Sequence, residues 1–390
     1  MDKIIMFIGL FILSIGACKK PPIQNGDESL EDIPYNPTTY QVQSPPGLPQ
    51  MEMPTTNLMT TQGIKLGRFL FYDPILSRDS SISCGSCHKI EKAFTDGRAT
   101  ALGIEGKIGT RSSMSLINVG YFWKQNRQNN FMWDGKFATL EEQALAPIEH
   151  PLEMDFTWDE IIVRLKRHPH YPKLFREAFG IQYKSGITKE LAAKAIAQFE
   201  RTLNSADSRY DQTEGPAKIP FEYLSEQELR GLQLFLGDTD GSAPTKDGEC
   251  AHCHTFTQNK SLFARNDFSN NGLDSTQSLN GFVDNGLGDI ISDATANGKF
   301  REVTLRNIGL TAPYMHDGRF ATLEEVLDHY ATGGHPSPNL DNILETAPDL
   351  KSLTQTEKGD IIAFLHTLTD SSYFNKAEWK TPFDQANPWE

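Results

Sequence analysis

Two five-residue patterns in this chain could do chemistry: Cys84-Gly85-Ser86-Cys87-His88 and Cys250-Ala251-His252-Cys253-His254. Cys-x-x-Cys-His is the attachment pattern of c-type haem. The chemistry dictates the spacing. Two thiols add to two vinyl groups on one edge of a porphyrin, and the next residue's imidazole reaches the iron. A structural zinc would want four ligands in neighbouring knuckles, and these motifs lie far apart in the chain. A dithiol redox pair has no need of a following His, twice. The chain has five cysteines, and only Cys18 stands outside the two motifs, so no disulfide framework remains to be built. The sequence therefore predicts two covalent haems, attached through Cys84, Cys87, Cys250 and Cys253, with His88 and His254 as proximal iron ligands.

The elements that must position these motifs are duplicated. Met132-Trp133-Asp134-Gly135-Lys136-Phe137-Ala138-Thr139-Leu140-Glu141-Glu142 recurs as Met315-His316-Asp317-Gly318-Arg319-Phe320-Ala321-Thr322-Leu323-Glu324-Glu325. The stretches leading into each Cys pattern, from 63 and from 229, match loosely. Two copies of one haem unit is the simplest account. Apolar residues at helical spacing predict helices over 61–71, 188–203, 225–236 and 355–368. Thr139 and Thr322 carry Glu three residues on, the spacing of a capping box. Stretches 237–248 and 264–300, rich in Gly, Asn and Asp, read as loops. The expected fold is mainly α, with two tandem cytochrome c-like haem domains and long loops: an N-terminal domain over 56–220, a C-terminal domain over 221–375, and a tail at 376–390.

The chain of 390 residues carries a net charge of −14. That excludes nucleic acid, whose binding rests on cationic side chains, and suits a basic protein partner through electrostatic steering. Its apolar fraction of 38% builds real cores but excludes a polytopic membrane protein. The apolar run at 4–17 follows Lys3 and is too short for a membrane span but right for a signal peptide. It ends in Ile15-Gly16-Ala17-Cys18, which resembles a bacterial lipoprotein cleavage box. The expectations are a signal peptide over 1–18, lipidation of Cys18, a flexible tether over 19–55, and a periplasm-facing protein held to a bacterial membrane by lipid alone.

A longer series of segments surrounds the haem motifs. Leu66-Gly67, Leu70-Phe71-Tyr72-Asp73-Pro74 and Leu76-Ser77 precede Ser83-Cys84 and His88. Phe131-Met132-Trp133-Asp134-Gly135, Gln143, Pro147 and Glu153-Met154 follow. After the second motif come Leu305-Arg306-Asn307 and Thr311-Ala312-Pro313-Tyr314-Met315-His316-Asp317-Gly318. This ordered set, covering residues 56–370, resembles the bacterial dihaem cytochrome c peroxidases and their relative, the methylamine-utilisation maturase MauG. The resemblance implies that hydrogen peroxide reacts at the N-terminal haem and electrons enter at the C-terminal one. In many members a His shortly past the first motif blocks the first iron until reduction. Here that position is Ile104, which matches the MauG-like subset with an open iron; closure by His150 is the alternative.

The resemblance also implies roles residue by residue. Glu153 is the general acid/base for O–O cleavage, Gln143 a polarising amide, and Pro147 part of the distal wall. Trp133 is the electron relay between haems. Calcium would take Thr311 and Pro313, with Ser112 where relatives have Asn. On the second iron, the position relatives give to a sulfur ligand is Tyr330, with Met315 and His329 as competitors. The implied function is peroxide reduction to water with electrons from a small donor protein, a cytochrome c or a cupredoxin. A MauG-like oxidase acting on a partner protein and a dihaem electron carrier are the alternatives. A homodimer is left open.

Overall fold

A computed structural model describes residues 28–213, 223–237, 246–254 and 261–389; the signal run and Cys18 lie outside these. The chain is mainly helical. Its helices in order are α1 (Thr61–Tyr72), α2 (Cys84–Cys87), α3 (Leu140–Glu149), α4 (Trp158–Arg167), α5 (Tyr171–Phe179), α6 (Lys189–Glu200) and α7 (Arg209–Thr213). Then come α8 (Glu226–Leu236), α9 (Cys250–Cys253), α10 (Leu287–Ile291), α11 (Leu323–Ala331), α12 (Asn342–Thr346), α13 (Pro348–Lys351) and α14 (Gln355–Thr367). The two-residue strands β1 (Phe268–Ser269) and β2 (Phe300–Arg301) pair antiparallel.

One arrangement is built twice. α1 packs on α6, and α8 packs on α14. Each crossing has a glycine at its closest point. A Cβ on Gly67 would lie 1.9 Å from Ala195 O, and one on Gly231 would lie 1.9 Å from Asp360 O. Backbones this close exclude any side chain. Matching aromatics fill the space beside each crossing. Phe71, Phe94 and Phe199 sit in one core, with Phe71–Phe199 centroids 5.1 Å apart. Phe235, Phe263 and Phe364 sit in the other, with Phe235–Phe364 at 5.2 Å. A third cluster, containing Tyr121, Phe122, Phe131 and Leu262, joins residues from both halves of the chain.

The helix starts follow their side-chain caps. Thr139 accepts from Glu142 N, Thr322 from Glu325 N, and both form the expected capping box. Ser225 and Thr354 do the same with Glu228 and Glu357 at the starts of α8 and α14. Each such cap satisfies orphan N–H groups of the first turn and is worth about 1 kcal/mol.

Three expectations change. Residues 28–55 are not a free tether: Leu30, Leu48 and Met51 are buried, and the segment bridges to the body at Ser29–Tyr183 and Thr39–Thr60. The C-terminal stretch is not a loose tail: Trp379 is buried, Arg68 donates to the carbonyls of Ala377 and Lys380, and Trp389 stacks on Phe69 and His170. Apolar anchors spaced singly along an aperiodic segment hold both pieces down. The 264–300 loop, in turn, contains β1, α10 and the start of β2. The expected boundary at 220/221 and residues 238–245 of the first loop lie outside the described residues.

Candidate haem sites and the cavity between them

Both Cys-x-x-Cys-His patterns open on one continuous cavity of about 550 Å³. In each, a four-residue helix carries both cysteines, and the His follows as its C-cap. His88 Nδ1 donates to Phe94 O at 2.8 Å. His254 Nδ1 donates to Val303 O at 3.1 Å and Phe263 O at 3.3 Å. A carbonyl can only accept, so Nδ1 carries the proton and Nε2 is left with a lone pair. That is the tautomer a metal-ligating imidazole needs, oriented by its outer hydrogen bond. Burial lowers the pKa of both rings and favours the neutral, ligating form. The four thiols line the same cavity and are raised by burial, Cys87 to about 11 and Cys250 and Cys253 to about 12. Uncharged thiols beside an apolar hollow, with a lone-pair nitrogen next to each pair, fit two covalently attached haems.

On the His88 side, α3 and the loop after it make the far wall. Pro147 lies inside α3 and has no N–H to offer Gln143 O, so the helix ladder is interrupted there. The following loop folds back onto the helix: Met154 N donates to Pro147 O at 3.1 Å and Phe156 N to Ile148 O at 2.9 Å. This return brings Glu153 into the same wall as Pro147 and Gln143. Glu153 N donates to His150 O and its own carbonyl accepts from Ile104 N at 2.9 Å. Burial raises the Glu153 carboxyl, against the pull of His150 and Lys136. Its Oε1 lies 3.6 Å from His150 Nδ1, which also accepts from Leu152 N at 3.3 Å. Gln143 Nε2 approaches Met132 Sδ at 3.8 Å. Ile104 is fully buried behind Glu153 and takes no part in the cavity wall.

Between the motifs lie two copies of one turn. Met132 and Met315 both have positive φ, and Gly135 N and Gly318 N donate back to their carbonyls at 3.2 Å. Trp133 in the first turn stands where His316 stands in the second, and both line the cavity. Ser112 ties the turns together. Its carbonyl accepts from Trp133 Nε1 at 3.0 Å, its N–H donates to His316 O at 2.7 Å, and its hydroxyl donates to Met315 O at 3.0 Å. Thr311 and Pro313 line the cavity as well.

On the His254 side, α11 takes the place of α3. Counted from their N-caps Thr139 and Thr322, Tyr330 occupies the position of Pro147, and Val326 that of Gln143. Both line the cavity. Asn271 Nδ2 is 3.4 Å from the Tyr330 hydroxyl and 3.4 Å from Met315 Sδ. Burial pushes the Tyr330 phenol up to about 12, and Asn271 pulls it back. His329 Nε2 lies 2.9 Å from Asn271 O, outside the cavity lining.

Several residues in this region escape sequence reasoning. Arg301 is buried, donates through its N–H to Trp133 O at 2.9 Å and through Nε to Met132 O at 3.1 Å, and so fixes the tryptophan turn. Burial lowers its pKa to about 9, and its Nη2 has no partner among the described residues. Asn271 and Glu200 also line the cavity. None of them belongs to a recognisable motif. Among the described residues one His/Cys/Asp/Glu group has metal-ligand spacing, His252, Cys253 and Asp341, beside the second haem motif.

Comparison with known proteins gives a consistent result. The family described as di-haem cytochrome c peroxidase matches residues 61–216. The methylamine utilization protein MauG of Methylorubrum extorquens is 31% identical over 357 residues, covering 91% of this chain and 90% of that protein. The cytochrome c551 peroxidase of Nitrosomonas europaea is 31% identical, covering 78% and 79%. A crystal structure of a MauG-like protein associated with microbial copper homeostasis superposes with a TM-score of 0.73 at 35% identity, over 88% of this chain and 99% of that one.

Proposed function

Because the chain belongs to the di-haem cytochrome c peroxidase family, we propose that it reduces hydrogen peroxide to two waters, using two protons and two electrons from a small redox protein. The observation that carries this is the asymmetry of the cavity's two ends: two imidazoles prepared in the same way, with Gln143 and Pro147 of α3 and the neighbouring Glu153 on the first side where α11 sets Val326 and Tyr330 on the second. When bound, the haems store electrons and supply the iron at which the O–O bond breaks. Cys84, Cys87 and His88 would hold one, and Cys250, Cys253 and His254 the other.

The residues then divide the work. Glu153 takes a proton from the inner peroxide oxygen and returns it to the outer one, as a general base and then a general acid. Gln143 offers amide N–H groups to the departing oxygen. Pro147 shapes the wall without offering a ligand, which leaves the His88 side open to peroxide. Trp133 relays electrons between the two sides, held by Ser112 and Arg301. Tyr330 is the residue at the far face of the His254 side, because it replaces Pro147 on the matching helix. Met315 has a counterpart in Met132 and reads as a turn residue common to both copies. A calcium ion between the motifs would take the carbonyls of Thr311 and Pro313, and Ser112 would have to turn its hydroxyl away from Met315 to join them.

The finer organisation follows the same reading: haem domains over 56–220 and 221–375, a lipid on Cys18, and a periplasm-facing location. No helix among the described residues is long and apolar enough to cross a membrane. A second reading, peroxide-driven oxidation of residues on a partner protein, draws support from Tyr330 and from the similarity to MauG.

The test is direct. The full chain carrying two haems, fully ferric at the start, is mixed with peroxide and a reduced small cytochrome or cupredoxin. Peroxide consumption coupled to donor oxidation is expected without prior reduction. No consumption by protein whose two haems are attached would overturn the proposal.

A further inference from the structure

Glu200 is a carboxylic acid in a place the fold otherwise makes apolar. The two helix crossings set the equivalence. Gly67 faces Ala195 O and Phe199, while Gly231 faces Asp360 O and Phe364. Continuing along α6 and α14, Ile196 matches Ile361, and Glu200 matches Leu365; all four line the cavity. Leu365 is 6% exposed and Glu200 4% exposed. Glu200 Oε2 has no hydrogen-bond partner among the described residues. A buried carboxyl without a partner costs several kcal/mol if charged, and a leucine fits the same helix position in the other copy.

We propose that Glu200 is a proton site coupled to the redox state of the haem held by His88. The inference rests on the functional reading above, in that it requires that haem to be present. When an electron from the donor protein converts ferric to ferrous iron, one proton from water binds the Glu200 carboxylate and makes it a neutral acid. Charge is then conserved inside the low-dielectric cavity, where an uncompensated charge interacts most strongly. On reoxidation the proton leaves.

The coupling belongs to the first haem because Glu200 lies beside that haem's attachment. Its charge acts on the Cys84 thiol of α2. Arg201, on the same helix end, pulls its pKa down, and Glu141 of α3 pushes it up. Those two are themselves paired, Arg201 Nη1 and Nη2 to the Glu141 carboxylate at 2.8 and 3.0 Å. From α1, Tyr72 donates its hydroxyl to Trp379 O and Arg68 turns to the C-terminal segment, so neither reaches Glu200. On α5, Lys173 pairs with Glu177, and Arg176 holds Ile33 O and Gly180 O. Burial is the largest influence and pushes Glu200 up to about 8. A carboxylate stabilises ferric iron relative to ferrous, so the midpoint potential of the His88 haem falls as pH rises through this region.

The experiment is a potentiometric titration of the full chain with both haems attached, on a pH series centred near 8, with each haem followed optically and by its electron paramagnetic resonance signal. For a one-electron couple, a tenfold change in proton activity converts to about 59 mV, which is the limiting slope per pH unit. The His88 haem is expected to approach that slope, and the His254 haem, with Leu365 at the matching place, to stay flat. Glu200→Gln should flatten the first haem and leave the second unchanged. Glu200→Leu, the residue the other copy already accommodates, should do the same. A flat first haem in the unaltered protein, or a slope that survives Glu200→Gln, overturns the proposal. A haem count below two per chain would instead strike the functional reading, so the two failures are distinguishable.

Discussion

Replacing Glu153 by Gln removes proton transfer while keeping size and hydrogen-bonding capacity. The loop should survive the change. Its anchors are backbone contacts, from Ile104 N to Glu153 O and from Met154 N to Pro147 O, and neither uses the carboxylate. A positioned acid/base contributes roughly 10²–10⁴ in rate, or about 2.7–5.4 kcal/mol of barrier at 1.36 kcal/mol per decade. The rate of the Soret change after mixing ferric protein with peroxide should fall by that factor, with both haems still attached. A second measurement tests the electrostatics. Burial raises the Glu153 carboxyl, and the base form is the one that accepts the first proton, so the rate should decline toward acid starting above the usual carboxylate range. His150 holds that carboxyl down from 3.6 Å. His150→Ala should therefore shift the acid limb to higher pH. A Glu153→Gln rate within tenfold of the unaltered protein, or a limb that moves to lower pH in His150→Ala, would refute the reasoning.

Three other outcomes are expected. Trp133→Phe removes the indole that donates to Ser112 O at 3.0 Å; it should slow electron delivery to the first haem in stopped flow while leaving the initial peroxide reaction of ferric protein unchanged. Tyr330→Met should introduce a near-infrared sulfur-to-iron band and raise the second haem's potential; a sulfur band already present in the unaltered protein would instead identify Met315, which Asn271 approaches as closely as it does Tyr330. Gly67→Ala places a Cβ 1.9 Å from Ala195 O and should cost about 3 kcal/mol, read as a lower denaturation midpoint; an unchanged midpoint would show that the crossing is not tight.

Much of this was legible because the relevant signals are local. Cys-x-x-Cys-His states its chemistry in five residues, and the structure adds only the carbonyls of Phe94 and Val303 that orient each imidazole. Thr139 with Glu142, and Thr322 with Glu325, name two helix starts through a hydrogen-bond pair that the sequence displays directly. What stayed hidden depends on contacts between distant segments. Leu30, Leu48 and Met51 look like stray apolar residues in a polar, proline-rich stretch until the body beneath them is seen. Trp389 reads as a chain end until it stacks on Phe69 and His170. Arg301 follows a loop-like stretch and carries no pattern, yet it fixes the backbone of the tryptophan turn. Glu200 ends an amphipathic helix, where an acid ordinarily meets water; only the crossing at Gly67 shows that this end faces the cavity.

The same comparison suggests where activity resides in a duplicated protein. Shared positions build the container: Gly67 and Gly231, Phe71 and Phe235, Met132 and Met315, each placed alike and doing the same job. Chemistry should then be sought where matching positions differ. On α3 and α11, Gln143 faces Val326 across the duplication, and Pro147 faces Tyr330. A proline side chain has no atom to give a metal and a phenol has one, so the exchange at a single helix position would leave one side open for a reactant and offer the other a ligand. On the turns, Trp133 faces His316; on α6 and α14, Glu200 faces Leu365. All eight of these residues sit in the wall of one cavity. Exchanging Pro147 and Tyr330 in one chain would test this reasoning most sharply. With Tyr at 147 and Pro at 330, the open iron should pass from the His88 side to the His254 side, seen as an exchange of high- and low-spin ferric signals. Peroxide reactivity should nonetheless be lost, because Glu153 and Gln143 remain behind on the first side. Retained reactivity at the newly opened iron would mean that an open face suffices, and that the carboxylate and amide are not what separates the two haems.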